Sequence, residues 1–100
     1  MPPRIAGLLW TEEAERHVAE HIDPDEIDEL IGGRDFFLFA NRPGHPPNRW
    51  RAIGRIPGGA YVTAVLEEPD DGDPMNWRPV TGWRSDHFER RMYQAWRRGR

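Results

Sequence analysis

Glycine and proline supply 20 of the 100 residues, ten each, and their placement decides what this chain can build. Proline lacks an amide donor and clashes with the preceding helical turn, while glycine gives up the most backbone entropy on ordering. Scattered at this density they exclude a bundle of long helices and favour an α+β chain rich in turns. The densest cluster, Asn41 to Asn48 (NRPGHPPN), holds three Pro and one Gly and reads as irregular loop. Gly32-Gly33 reads as a helix end and Pro57-Gly58-Gly59 as a hairpin connection.

Between these breaks the elements can be placed from periodicity and capping. Ile5 to Trp10 is a short apolar run that reads as a first strand. Thr11 is an N-cap, with Glu12 and Glu13 in the following turn favourable to the helix dipole, and a 3.6-residue period puts Ala14, His17, Val18 and His21 on one stripe. Asp23-Pro24-Asp25-Glu26 is a stronger start: an Asp cap, Pro at the first helical position and Glu three residues after the cap. Ile27, Leu30 and Ile31 are its buried stripe. Phe36 to Ala40 reads as a strand, and Arg49 to Ile56 alternates, with Arg49, Arg51, Ile53 and Arg55 on one face and Trp50, Ala52, Gly54 and Ile56 on the other. Ala60 to Leu66 is apolar enough on both faces to be a central strand, and Glu67 to Pro74 is an acidic loop. A strand follows from about Asn76 to Gly82. The last element is a helix capped by Asp86 with Glu89 three residues on, its expected buried stripe being Phe88, Met92, Ala95 and Trp96, with Arg90, Arg91, Arg97 and Arg98 facing away. The expected order is β-α-α-β-β-β-β-α: one small α+β domain over residues 1–100, an antiparallel meander sheet with two N-terminal helices and one C-terminal helix, and flexible first and last few residues.

Charge and composition bound the function. No apolar run approaches 18 residues and the start lacks a long apolar h-region, so neither a membrane span nor a secretory signal is expected. With no cysteine there is no disulfide, thiol nucleophile or zinc-thiolate site, which fits a cytoplasmic protein. All 14 basic residues are Arg, so lysine-amine chemistry is excluded. The net charge of −3 is unevenly divided. Residues 1–35 carry 3 Arg against 10 acids, 36–66 carry 4 against none, 67–76 carry none against 5, and 77–100 carry 7 against 2. An acidic chain is a poor generic nucleic-acid binder, but two basic segments allow a local phosphate-binding face.

The candidate residues follow from that pattern. Arg49, Arg51 and Arg55 share one strand face, and guanidinium matches phosphate oxygens bidentately; the plain alternative is a solvated face paired with the acidic helices. His17 and His21 point the same way on a helix, but no third ligand or His-Glu-x-x-His pattern accompanies them, so no metal is expected. They are read as edge-of-core rings, with His21 also suited to proton transfer near neutral pH. The acidic run Glu67 to Asp73 does not match a calcium-loop spacing.

Three segments in order resemble the BrnT-type toxins of bacterial toxin–antitoxin pairs, small proteins with a RelE-like ribonuclease fold. They are Trp10…His17-Val18-x-x-His21-Ile22-x-Pro24-x-Glu26-Ile27-x-Glu29, then Arg49-Trp50-Arg51-Ala52-Ile53-Gly54-Arg55 with Gly59 and Val62 to Leu66, then Val80-Thr81-Gly82-Trp83-Arg84 with Glu89-Arg90-x-x-Tyr93. Trp83 stands where the family has an arginine, and Ala14, Val18 and Glu20 stand where relatives often carry Lys and Asn. The resemblance implies metal-independent RNA cleavage without a cofactor, with Arg84, Arg55, Arg51 and Arg49 on phosphate, His21 in proton transfer, Tyr93 in positioning, and a ribbon-helix-helix antitoxin as protein partner. Two other functions are compatible with the residues: an inactive relative that only binds a partner protein, and an orphan domain that binds a small anionic ligand.

Overall fold

The computed structural model describes residues 3–40 and 48–99; the Asn41–Pro47 part of the expected loop, with His45, and the extreme ends lie outside the described residues. Helix α1 (Glu12–Ala19) starts where Thr11 accepts a hydrogen bond from the Ala14 amide, at 3.1 Å. Helix α2 (Pro24–Gly33) starts at Asp23, whose side chain accepts from the Asp25 amide. It runs through both glycines and ends at Arg34, which takes the left-handed conformation (φ 58°). Four strands follow, β1 (Phe36–Ala40), β2 (Arg49–Arg55), β3 (Tyr61–Glu67) and β4 (Arg78–Arg84), and then helix α3 (His87–Arg98). The sheet is antiparallel throughout in the order β1-β2-β3-β4, so the fold is a small α+β domain with three helices and a four-stranded meander.

Two elements differ from expectation at their ends. The N-terminal apolar run makes only an isolated parallel bridge, Leu8 to Trp77, because it enters the core instead of joining the sheet: Ile5 is buried, and the Trp77 indole donates to the Arg4 carbonyl. The last strand spans Arg78–Arg84, displaced toward the C-terminus, since Asn76 is held in a turn by Asp73.

Register assigns each residue to a face. The side that carries α1 and α2 receives Ala52, Val62, Ala64 and Leu66, which pack with Val18, Ile22, Ile27, Leu30, Ile31 and Trp77 into the apolar core. Burying Ile27 completely there is worth about 1.5–3 kcal/mol. The other side carries Arg49, Arg51, Ile53 and Arg55 from β2, Thr63 and Val65 from β3, and α3.

The buried stripe of α3 is a correction. Phe88, Met92 and Ala95 are exposed, Phe88 at 76%, whereas Glu89 and Tyr93 are buried and Trp96 is half-buried. The reason is polar. Glu89 completes a capping box with Asp86 and also accepts from the Trp83 indole at 2.9 Å, so that face of the helix must turn to the sheet. Arg97 does not face away either; it donates to Asp35 and to the Tyr93 hydroxyl.

Gly54 marks the tightest approach of sheet to helix. A Cβ there would collide with the Asp35 carbonyl oxygen and sit 2.8 Å from Leu30 Cδ1 and 2.9 Å from Phe36 Cβ. Two of these neighbours cannot swing aside. Gly54→Ala is therefore expected to destabilise by about 1–3 kcal/mol through overpacking, read as a fall in melting temperature of about 4–8 °C per kcal/mol. An unchanged melting temperature would contradict the close approach.

Candidate phosphate-binding site

The arginines that alternation places on one face of β2 have three different fates. Arg49 lies 3.8 Å from Glu67, which also pairs with Arg78 at 3.1 Å. Arg51 is mostly covered. Its guanidinium lies over the Trp83 ring (5.5 Å) and the Phe39 ring (6.0 Å) and 3.6 Å from the Glu89 carboxylate. Arg51 is thereby built into the structure, whereas Arg49 faces an acid in a partly exposed pair. Arg55, at the exposed end of the strand, lies over the Tyr61 ring at 5.8 Å and donates through Nε to the Gly59 carbonyl.

Tyr61 gathers more than one cation. Arg55 and Tyr61 are cross-strand partners flanking the Pro57-Gly58-Gly59 turn, where Gly59 takes φ 95°, a conformation that suits glycine. Arg90 reaches the same ring from the first turns of α3, at 5.9 Å. Gly59, Ala60, Tyr61, Arg84, Ser85 and Arg90 line an open cavity of about 290 Å³. Ser85 is fixed at its floor, its amide donating to the Tyr61 carbonyl and its hydroxyl sharing a 2.8 Å hydrogen bond with Thr63. Among the described residues no carboxylate lies within ion-pair distance of Arg55 or Arg90, whereas Arg84 pairs with Glu26 of α2.

Arg84 comes from the opposite side of the sheet. It is the cross-strand partner of Val62, a core residue on the α1–α2 side, and shares the cavity lining with Arg90; Arg55 ends its strand at the same end of the sheet but does not line that cavity. Arg90 and Tyr61 were not singled out in the sequence. Tyr61 was recoverable by counting across the hairpin from Arg55; Arg90 was hidden by the misassigned phase of α3.

His21 is exposed at the α1–α2 corner and stacks edge-on with His17 (5.6 Å between ring centres). Neither ring lies inside the core edge as expected, and neither lines the arginine cavity. His17 instead lines a cavity of about 270 Å³ together with Glu13, Glu67 and Arg78, whose two carboxylates oppose a polyanion.

Tyr93 is buried. Its hydroxyl donates to Asp35 at 2.7 Å, accepts from Arg97 at 2.8 Å, and its ring packs edge-on against Tyr61 (5.9 Å). It thus supports the ring that carries Arg55 and Arg90, one layer behind the cavity. Burial, reinforced by the hydrogen bond to the Asp35 carboxylate, raises the Tyr93 phenol above its usual value, with Arg97 opposing.

Among the described residues no helix is long and apolar enough to cross a membrane, and no group of three or more His, Asp or Glu is placed to hold a metal ion. The architecture defines a small α+β domain, three helices on a four-stranded antiparallel sheet. The crystal structure of the Brucella abortus ribonuclease toxin BrnT superimposes with a TM-score of 0.56, covering 86% of this chain and 100% of that chain at 13% identity. At that identity the likeness is one of fold. No family model and no curated protein matches the sequence.

The Tyr93 shift sets a pH dependence. A phenol whose folded-state pKa lies above its unfolded value contributes stability that is fully present below about pH 10 and is lost as pH rises through the folded value. Tyr93→Phe should flatten the alkaline fall of the melting temperature above about pH 10 and cost about 1 kcal/mol at neutral pH. An alkaline limb identical in the two proteins would show that Tyr93 does not titrate with unfolding.

Proposed function

We propose that this chain is a toxin-like endoribonuclease of a bacterial toxin–antitoxin pair, with the scissile phosphate of RNA held among Arg55, Arg84 and Arg90. The observation that carries this reading is the cavity at Tyr61, lined by Arg84 and Arg90, with Arg55 stacked on the same Tyr61 ring; Arg55 and Arg90 have no carboxylate within ion-pair distance among the described residues. The fold likeness to the ribonuclease toxin supports it.

The reaction suited to this site uses the nucleophile that RNA brings. The 2′-hydroxyl oxygen attacks the adjacent phosphorus, the bond to the 5′-oxygen breaks, and a 2′,3′-cyclic phosphate and a free 5′-hydroxyl result. The 2′-hydroxyl loses its proton to a base and the leaving oxygen takes one from an acid. Charge accumulates on the non-bridging oxygens, and arginines already positioned around them stabilise it without reorganisation. Arg55 and Arg90 are held by the Tyr61 ring; Arg84 must exchange Glu26 for phosphate. His21 retains the proton-transfer role in this proposal, tested separately because it lies outside the cavity lining. Arg49 and Arg51 act only indirectly, through the fold.

The second reading is a partner-binding module without catalysis. It is favoured by a specific observation: among the described residues, Tyr61 and Ser85 bring the only side-chain hydroxyls of the cavity lining, and no imidazole or carboxylate is part of it. Its partner would be a ribbon-helix-helix antitoxin encoded beside it.

With single-stranded RNA and a chelator present, the wild type is expected to leave 2′,3′-cyclic phosphate ends. Arg55→Ala, Arg84→Ala and Arg90→Ala should each slow cleavage by about 10²-fold with unchanged melting temperatures, and His21→Ala by a similar factor. Glu26→Gln, which frees Arg84, should tighten RNA binding. No cleavage by the wild type, together with tight binding of the neighbouring gene's product, would replace the ribonuclease by the binding module. Cleavage indifferent to all three arginines would refute the site.

A further inference from the structure

The apolar stripe of α3 that periodicity assigns to the core lies in solvent, and Glu89 keeps it there. With Glu89 and Tyr93 turned to the sheet, Phe88 is 76% exposed, Met92 is 41% exposed and Ala95 is exposed as well. Single exposed apolar residues are ordinary on a protein surface. These three form a seam. Their spacing of four and then three residues keeps them within about 60° of arc and along about 10 Å of helix axis. The helix cannot roll to hide them, because the Asp86 amide, the Trp83 indole and Arg51 all hold the Glu89 carboxylate.

The charge around the seam has one sign. The acid of α3, Glu89, is buried, while Arg90, Arg91, Arg97 and Arg98 are exposed. Arg91 and Arg98, seven residues apart, lie along one border of the seam by helical spacing, and half-buried Trp96 lies along the other. Among the described residues no carboxylate lies within ion-pair distance of Arg91 or Arg98. None of the seam or its arginine border lines the cavity at Tyr61, so this surface is separate from the proposed phosphate site.

Unbalanced cations beside an apolar seam select the occupant. The α3 of a second copy would bring the same arginines against these. The acidic helices α1 and α2 of a second copy bury their own apolar residues, Val18, Ile27, Leu30 and Ile31, in the core and have no seam to offer. RNA would satisfy the arginines, but a base stacks on a single ring, whereas this seam continues from Phe88 into Met92 and Ala95. We propose that the outer face of α3 receives one amphipathic helix of a partner protein, apolar at the same spacing and carrying Asp or Glu seven residues apart along one border. Phe88 is the anchor, an exposed ring on a rigidly seated helix. Three apolar residues do not make a domain-sized interface of about 800 Å² per partner, so the contact is helix-sized, reversible and sensitive to salt, and charge decides which helix it accepts.

Fluorescence anisotropy of a labelled synthetic peptide tests this on the whole chain, without reference to RNA cleavage. The probe is a helix of about 18 residues with Leu at the seam positions and Glu along one border; its control carries Lys in place of Glu. The expected result is saturable binding of the Glu peptide with Kd on the order of 10–100 μM, weakened by added salt, and at least about tenfold weaker binding of the Lys peptide. Phe88→Ala, at an exposed position, should melt with the wild type and bind the Glu peptide about tenfold more weakly. Arg91→Glu combined with Arg98→Glu should reverse the preference to the Lys peptide, a gain that a loss of folding cannot imitate. No binding of either peptide at about 1 mM, binding indifferent to Phe88→Ala, or an unreversed preference would overturn the proposal. So would single-stranded RNA whose binding is lost with Phe88→Ala while the Glu peptide does not bind, which would give this face to nucleic acid.

Discussion

The position of α3 depends on one buried carboxylate. Glu89, 4% exposed, accepts from the Asp86 amide and the Trp83 indole and faces the Arg51 guanidinium at 3.6 Å. A carboxylate removed from water at this depth is stable only where such partners surround it. It therefore selects the face of the helix turned toward the sheet, and everything on α3 follows by helical spacing. Tyr93, four residues on, goes inward behind Tyr61; Trp96 meets Phe37; Arg90, one residue on, emerges beside Tyr61. Phe88, Met92 and Ala95 are left in solvent.

The same carboxylate sorts the arginines. Arg51 is held between Glu89 and two aromatic rings and becomes part of the structure. Arg55, two residue pairs further along β2, lies beyond the reach of Glu89 and is stacked on Tyr61 instead. The neutralised and the available guanidiniums thus occupy one strand. The acidic helices α1 and α2 are on the opposite side of the sheet, where Glu26 pairs with Arg84. In the proposed function that ion pair sets how readily phosphate enters.

Most of the fold was legible because its signals are local. Thr11, Asp23 and Asp86 cap the helices they were expected to cap, and alternation from Arg49 to Arg55 together with the Pro57-Gly58-Gly59 turn defines the central hairpin. The failures have a shared origin in non-local pairing. The Ile5–Trp10 run looks like a strand, but whether it joins a sheet depends on Pro74 and Trp77, far away in sequence. The apolar stripe of α3 looked like its core face because periodicity weighs Phe and Met above Glu, while burial of Glu89 is decided by Arg51 and Trp83. At the candidate site, Arg55 was visible from alternation. Arg84, which the resemblance put on phosphate together with the β2 arginines, alternates to the other side of the sheet, since Trp83, its neighbour, takes the α3 side. Arg90 required the helix phase that periodicity alone misjudged.

The central claim is that Glu89 and Arg51 act as one unit to seat α3, and a double-mutant cycle on folding stability measures that directly. Arg51→Met, Glu89→Gln and the double variant should give a coupling energy of about 1 kcal/mol or more, within the range for residues that share one polar network. The two single changes together then cost more than the double variant. Additivity within about 0.3–0.5 kcal/mol, the behaviour of independent sites, would mean that α3 is seated by its aromatic contacts and that the buried carboxylate does not govern the arrangement.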